Sequence, residues 1–388
     1  MPIKTAAIIG AGVAGLTAAL SLARHGIHVD ILEQAPQLGE VGAGLQLSPN
    51  ATRILADLGV LPEIEQHWLE PDEIRLASGT SLKPLATVPA GRFALERWGA
   101  PYGVLHRSTL QQALLTAVIR NSHCKLHLGQ RIENATASAI EAMTGTKPEL
   151  VVGADGAWSP TRKLIEGSPK IAFSGNIAWR FTVPAAGAPA FLSNRCVTAF
   201  LGPKTHLVCY PLNEIDGFNL VAIAAGMNPG ETWASQGSDI QHGMLLAQFS
   251  GWNPFILALL AGVKQATFWP LYEASPGHWQ NGRDTVLIGD AAHAMMPFSA
   301  QGAVMAIEDG FELAGYVCGS LPLAQSLAAF EIHRKARAGR VKARGAFNKF
   351  AYHARGPVRV ARDIVLSLRQ PQSLAADFDW LYGYRAKG

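Results

Sequence analysis

At 388 residues the chain is too long for one small core, and at roughly 150 residues per domain it organises as two or three lobes. A composition 48% hydrophobic and 16% charged has ample apolar surface to offset ordering entropy, which excludes a disordered chain. The formal net charge of +4 is small for this length and leaves no footprint for nucleic acid or an anionic membrane surface.

The apolar stretch from Thr5 to Ala23 could pass for a membrane span or signal segment, but Gly10, Gly12 and Gly15 divide it, and no small-residue cleavage pattern follows. We read a strand from Thr5 to Ile9, a helix from Val13 to Arg24 and a strand from Ile27 to Leu32, forming a βαβ unit. Gly10 permits the tight turn, Gly12 lets backbone approach a pyrophosphate, and Gly15 lets helix and strand pack closely. Ala14, inside the motif, joins the expected cofactor contacts. Glu33, ending the second strand, is placed to accept from ribose hydroxyls. The motif alone leaves FAD and NAD both open.

A glycine-rich loop from Gly39 to Gly44, long enough to cover a ligand, leads through Gln46 to Ser48-Pro49-Asn50 and a helix that Gly59 ends. Arg53 on that helix reads as a solvated charge. From about Asp72 to Tyr102 short extended pieces leave the first lobe. Helix resumes at Ser108, with Ser108 and Gln111 as a capping box, and Leu150 to Ala154 returns a strand to the first lobe. Between Lys170 and Tyr272, strand-like runs at Ile177 to Val183, Val197 to Leu201, His206 to Pro211, Phe218 to Ala224 and Ala266 to Leu271 form a separate antiparallel sheet. The strand Thr285 to Ile288 leads to Gly289-Asp290, and helix dominates from Ala303. The basic run containing Arg334, Lys335, Arg337, Arg340, Lys342 and Arg344 reads as a solvated helix face. Cys124, Cys196, Cys209 and Cys318 form no CxxC pair, so no metal site is expected, and reduced thiols without an export signal fit a cytoplasmic location.

Two further segments carry a family resemblance. Gly153-Ala154-Asp155-Gly156-Ala157-Trp158-Ser159-Pro160-Thr161-Arg162 resembles the DG motif of the single-component FAD-dependent aromatic hydroxylases, the salicylate, 3-hydroxybenzoate and 6-hydroxynicotinate type. Leu287-Ile288-Gly289-Asp290-Ala291-Ala292-His293-Ala294-Met295-Met296-Pro297 resembles their GD motif, which Ala300-Gln301-Gly302-Ala303 and Ile307-Glu308-Asp309 extend. Elements and resemblance together predict an α/β fold. A Rossmann-like FAD-binding domain (residues 1–71, 103–168 and 276–388) carries an inserted β-rich substrate domain (72–102 and 169–275) and a helical C-terminal region.

The resemblance also implies residue roles. Asp155 and Asp290 become FAD contacts, Asp290 accepting from flavin ribityl or diphosphate-side hydroxyls. A helix starting near Gly302 and Ala303 would lay positive potential beside the reducible flavin ring. Arg107 resembles the family arginine on the phosphate side. Pro297 and Gln301 flank the ring, Gln301 with a catalytic role, while Gln46, Arg180 and Pro297 face substrate. His206 and Tyr210, four apart on a strand, share one face and resemble the family's His and Tyr pair, His206 removing a phenolic proton. Two ordinary half-buried strand residues are the competing reading. His293, inside the GD motif, is not taken as the base.

The implied activity is hydroxylation of a phenolic or heteroaromatic acid by an FAD-dependent monooxygenase, with NADH or NADPH as donor and O2 entering through a flavin C4a-hydroperoxide. The alternatives are a flavin-dependent epoxidase or N-hydroxylase on another small apolar or aromatic substrate, and a non-catalytic flavin redox sensor. Expected partners are a small aromatic acid, O2 and NAD(P)H, without nucleic acid or a membrane span; a homodimer stays open.

Overall fold

The computed structural model describes residues 3–39, 44–227, 235–236, 239–263 and 266–388. Glu40 to Ala43, most of the predicted glycine-rich loop, lie outside the described residues. In chain order the strands are β1 (Thr5–Ile9), β2 (His28–Leu32), β3 (Gly44–Leu47), β4 (Glu73–Ser78), β5 (Pro84–Pro89), β6 (Gly103–His106), β7 (Cys124–His127) and β8 (Leu150–Gly153). They continue with β9 (Ile171–Pro184), β10 (Cys196–Gly202), β11 (Thr205–Leu212), β12 (Gly217–Ala225), β13 (Ser235–Gln236), β14 (Thr267–Ala274) and β15 (Thr285–Leu287).

Strands β15, β8, β1, β2 and β7 lie in that order in a five-stranded sheet whose pairs are all parallel. Parallel neighbours need a crossover, and the helix Val13–Ala23, apolar on every side and buried throughout, supplies it between β1 and β2. The helix Gly302–Val317 packs directly on it. A Cβ at Gly310 would stand 2.7 Å from the Ala18 nitrogen, so the two backbones touch because Gly310 has no side chain.

The second sheet runs β13-β14-β9-β12-β11-β10-β4-β5. The five runs expected between Lys170 and Tyr272 pair antiparallel, and β4, from outside that stretch, joins β10 in parallel. Hairpin neighbours must run antiparallel, whereas β4 arrives from the remote 72–102 excursion and is free of that constraint. Side-chain alternation divides the faces. Trp179, Phe181, Leu207, Cys209, Leu220 and Phe268 join a core with Leu245 of the helix Asp239–Gln248, with Phe249 just past its end, and with Ile256 and Leu260 of the helix Pro254–Ala261. The alternate residues point the other way. Gln46 lies on β3 rather than in a loop; β3 pairs with β6, and the Gly44 N–H donates to Asn219 Oδ1 at 2.9 Å, tying this ribbon to the second sheet.

Two local expectations are corrected. The helix Arg107–Arg120 starts directly as β6 ends, with His106 as its N-cap, so Ser108 lies within the first turn and its hydroxyl meets His106 Nδ1 at 2.5 Å instead of capping. The basic run of the long helix Leu323–Tyr352 is only in part a solvated face: Arg340 is exposed, but Arg334 and Arg337 are buried. Arg334 is fully buried, giving Nε to Asp309 Oδ1 at 2.7 Å and Nη1 to Glu308 Oε2 at 2.9 Å and Glu312 Oε2 at 3.0 Å. Arg337, also buried, gives Nη2 to Glu308 Oε1 at 2.8 Å. Three carboxylates in the core require such cations, and the planar guanidinium serves several at once. Arg340 and Arg344 stack over Trp380 and Phe378. Arg53 is likewise no free surface charge, since it donates to the carbonyls of Tyr384 and Trp98. Among the described residues no helix is long and apolar enough to cross a membrane.

Candidate active site

A cavity of about 400 Å³ opens between the carboxyl ends of β1, β8 and β15 and one face of the eight-stranded sheet. Ligands of open parallel sheets bind outside these strand ends. Gly12, Val13 and Ala14 follow β1, Ala154, Gly156 and Ala157 follow β8, and Asp290 follows β15; all line the cavity. Pro297, Gly302, Ala303 and Arg107 complete this end.

The glycines here do different things. A Cβ at Gly10, where φ is +102°, would stand 2.6 Å from the Ala154 oxygen, and one at Gly15 would stand 2.0 Å from the Gly10 oxygen. Both are demanded by the packing of turn on strand. At Gly12, Gly156 and Gly302 an added Cβ would meet nothing within 4 Å, so bare backbone faces open cavity. Two helix N-termini, at Val13 and Gly302, point their first-turn N–H groups into it with no acidic side chain in either first turn. This cradle fits an anionic diphosphate and a flat ring lying on backbone, as in FAD.

Several predicted residues support the cradle without lining it. Glu33 accepts from the N–H groups of Ala11 at 2.8 Å and Ala35 at 2.9 Å, fixing the first turn. The Asp155 carboxylate turns to Thr161, accepting from its hydroxyl at 2.7 Å and its N–H at 3.1 Å, while burial raises its pKa above the ordinary range. Gln301 is a correction. Its side chain is buried and directed away from the cavity, donating to Ser48 Oγ at 3.0 Å and accepting from Asn50 Nδ2 at 3.3 Å, because Ser48, Asn50 and Glu308 form a polar chain behind it. His293 is equally internal, its Nε2 at 2.5 Å from Asp309 Oδ2.

At the other end the sheet supplies side chains. His206, Val208 and Tyr210 of β11 line the cavity together, as even spacing on a strand requires, with Val221 and Ile223 of β12 beside them. Arg180, in the middle of β9, also faces the cavity, its guanidinium 5.1 Å from the Trp269 ring centre. Gln46 lines it too, its Oε1 accepting from Tyr102 at 2.6 Å, which leaves its amide nitrogen as the other polar group. His206 is 1% exposed, and burial first, then neighbouring His353, holds its pKa well below the ordinary histidine value. Burial pushes the Tyr210 phenol up.

Sequence reasoning missed Tyr102, Trp269, Tyr272, Phe378 and Tyr382 on the cavity wall and His353 behind it. None belongs to a motif. The buried acid cluster did leave a signal, since Glu308, Asp309 and Glu312 interrupt an otherwise apolar helix.

The chain matches the FAD binding domain family over residues 4–341. It is 33% identical over 387 residues to 3-hydroxybenzoate 6-hydroxylase 1 of Aquipseudomonas alcaligenes, covering 97% of this chain and 96% of that one. It is 34% identical over 391 residues to 3-amino-4-hydroxybenzoate 2-monooxygenase PtmB3 of Streptomyces platensis, covering 98% and 96%. Its fold is similar to a crystal structure of a Klebsiella pneumoniae HpxO variant complexed with FAD, with TM-score 0.82, 20% identity and 98% coverage of each chain. Motif order, cavity and these likenesses agree: the chain belongs to the FAD binding domain family, among its single-component FAD-dependent aromatic hydroxylases.

Proposed function

We propose that this protein hydroxylates a phenolic or heteroaromatic acid, using FAD, NADH or NADPH, and O2. The observation that carries the reading is the placement of His206 and Tyr210 on one strand in a largely apolar wall of the cavity that also holds the glycine cradle. The hydroxybenzoate-acting relatives support the substrate class. FAD, when bound, would supply the redox and oxygen chemistry.

Gly12 and Ala14, on the turn that Gly10, Gly15 and Glu33 shape, would hold the adenosine diphosphate half, and Arg107, Asp290, Pro297, Gly302 and Ala303 the flavin half, with Asp155 fixing the turn after β8. His206, neutral at pH 7, accepts the proton of the substrate hydroxyl and leaves the ring electron-rich. Tyr210, kept protonated by burial, donates a hydrogen bond to that oxygen. Arg180 pairs with the acid group and Gln46 offers it an amide N–H. The apolar walls exclude water from the reacting atoms. The division into FAD-binding segments 1–71, 103–168 and 276–388 and substrate segments 72–102 and 169–275, and a cytoplasmic location, belong to the same proposal.

The test is rapid-reaction reduction of the FAD-loaded protein by NADH and NADPH with a panel of hydroxybenzoates and hydroxypyridine carboxylates, then product mass under isotopically labelled O2. Acceleration of reduction by at least one acid and one incorporated label are expected; no response across the panel defeats the reading. His206→Gln should retain FAD yet form product about 100-fold more slowly, with more peroxide released, and Tyr210→Phe should follow in the same direction with a smaller loss. Wild-type rates and coupling in both variants remove the pair from the mechanism.

A further inference from the structure

A base buried as deeply as His206 needs an outlet for the proton it collects. Its Nδ1 lies 2.8 Å from Nε2 of His353, and the His206 side chain lines the cavity. His353 caps the C-terminal end of the helix Leu323–Tyr352 and is only half-buried. Its carbonyl accepts from Lys204 N–H at 3.3 Å, locking that helix end to the turn between β10 and β11. Phe298 packs on both imidazoles, with centroids 5.1 Å from His206 and 5.3 Å from His353, and Tyr352 lies 5.5 Å from His206. These rings pack against the contact.

We propose that His206 and His353 form a two-histidine proton relay from the cavity to the protein surface, with His353 as a positioning and relay residue. The inference rests on the proposed role of His206 as base. The substrate O–H bond breaks as His206 Nε2–H forms; the His206 Nδ1–H passes to His353 Nε2, and the Nδ1 proton of His353 leaves to water. Each imidazole gains one proton and loses one, so neither stores charge. Passage in reverse, as the product hydroxyl is reprotonated, resets both tautomers. Burial, with Lys349 one turn earlier adding its charge, holds His353 at about 4, so it returns its proton readily at neutral pH. Among the described residues, Tyr210 and Tyr352, phenols that burial keeps neutral, also stand beside the pair, and Lys204 is bonded to His353 through its backbone.

The experiment mixes FAD-loaded protein with 3-hydroxybenzoate as probe and follows phenolate absorbance and, by indicator dye, proton release. His353→Gln still accepts from His206 Nδ1–H but cannot pass a proton on. It should keep FAD and probe binding, release the proton about tenfold more slowly, and recover with added imidazole. Wild-type release by this variant overturns the relay and leaves the base intact, because phenolate absorbance reports the base separately. If no phenolic acid of the panel is ionised by wild type, or His206→Gln ionises it fully, the base reading falls and the relay with it. Wild type alone decides should the variant lose FAD: the release rate curves with solvent deuterium fraction for two protons in flight, and a straight line overturns the proposal.

Discussion

The two ends of the cavity recognise by different means. The cradle end is made of backbone, with glycines, strand ends and two helix N-termini that offer N–H groups and open space. The sheet end is made of side chains, with His206 and Tyr210 of β11, Arg180 of β9 and Gln46 of β3 projecting onto an apolar wall. Backbone recognition demands particular residues at fixed local spacing, whereas side-chain recognition demands only that distant strands be in register. The first end therefore tolerates little change, and the second can be retuned.

The largest expected effect lies behind the cradle. Arg334→Leu leaves Glu308, Asp309 and Glu312 with one fewer buried cation and should cost about 3–5 kcal/mol, read as a lowered Tm. An unchanged Tm would mean the cradle does not depend on this network. Gly15→Val, forced against the Gly10 carbonyl, should weaken FAD binding about 100-fold, read by flavin titration of the purified protein. Tight FAD binding by this variant breaks the distinction between the ends.

The same network sets an acid limit. Burial alone would raise the Asp309 pKa, but His293 and Arg334 override it and hold the carboxyl at about 2, below its ordinary 3.8. A depressed carboxylate contributes stability that is present above the unfolded pKa and lost as pH falls through the folded one. Tm should thus decline between about pH 4 and pH 2, and Asp309→Asn should flatten that slope while lowering Tm at neutral pH. The smallest effect belongs to the sheet end. Tyr102→Phe removes the donor that orients Gln46 and should raise KM for the acid substrate about fivefold at unchanged FAD content. Altered FAD binding instead would show that the ends are coupled.

Legibility followed the same division. The glycine turn and the GD segment were readable because each is a run of consecutive residues. Tyr102 and His353 were not, since their partners Gln46 and His206 are remote in sequence and nothing local marks the pair. Gln301 lies within a motif, yet only packing shows that its amide serves Ser48 and Asn50. The basic run of the C-terminal helix misled because charge type is visible in a sequence and burial is not.

By itself the sequence determined the βαβ turn that suits a dinucleotide and the alternation that sends His206 and Tyr210 to one face, both consequences of short-range sterics and periodicity, while FAD as the dinucleotide came from the family resemblance. Only the tertiary structure decided which face became the cavity, that Arg334 and Arg337 are buried against three carboxylates, and that a second histidine stands behind the first. Those outcomes depend on how two sheets and a long helix close on one another, and desolvation sets the charge of each group they enclose.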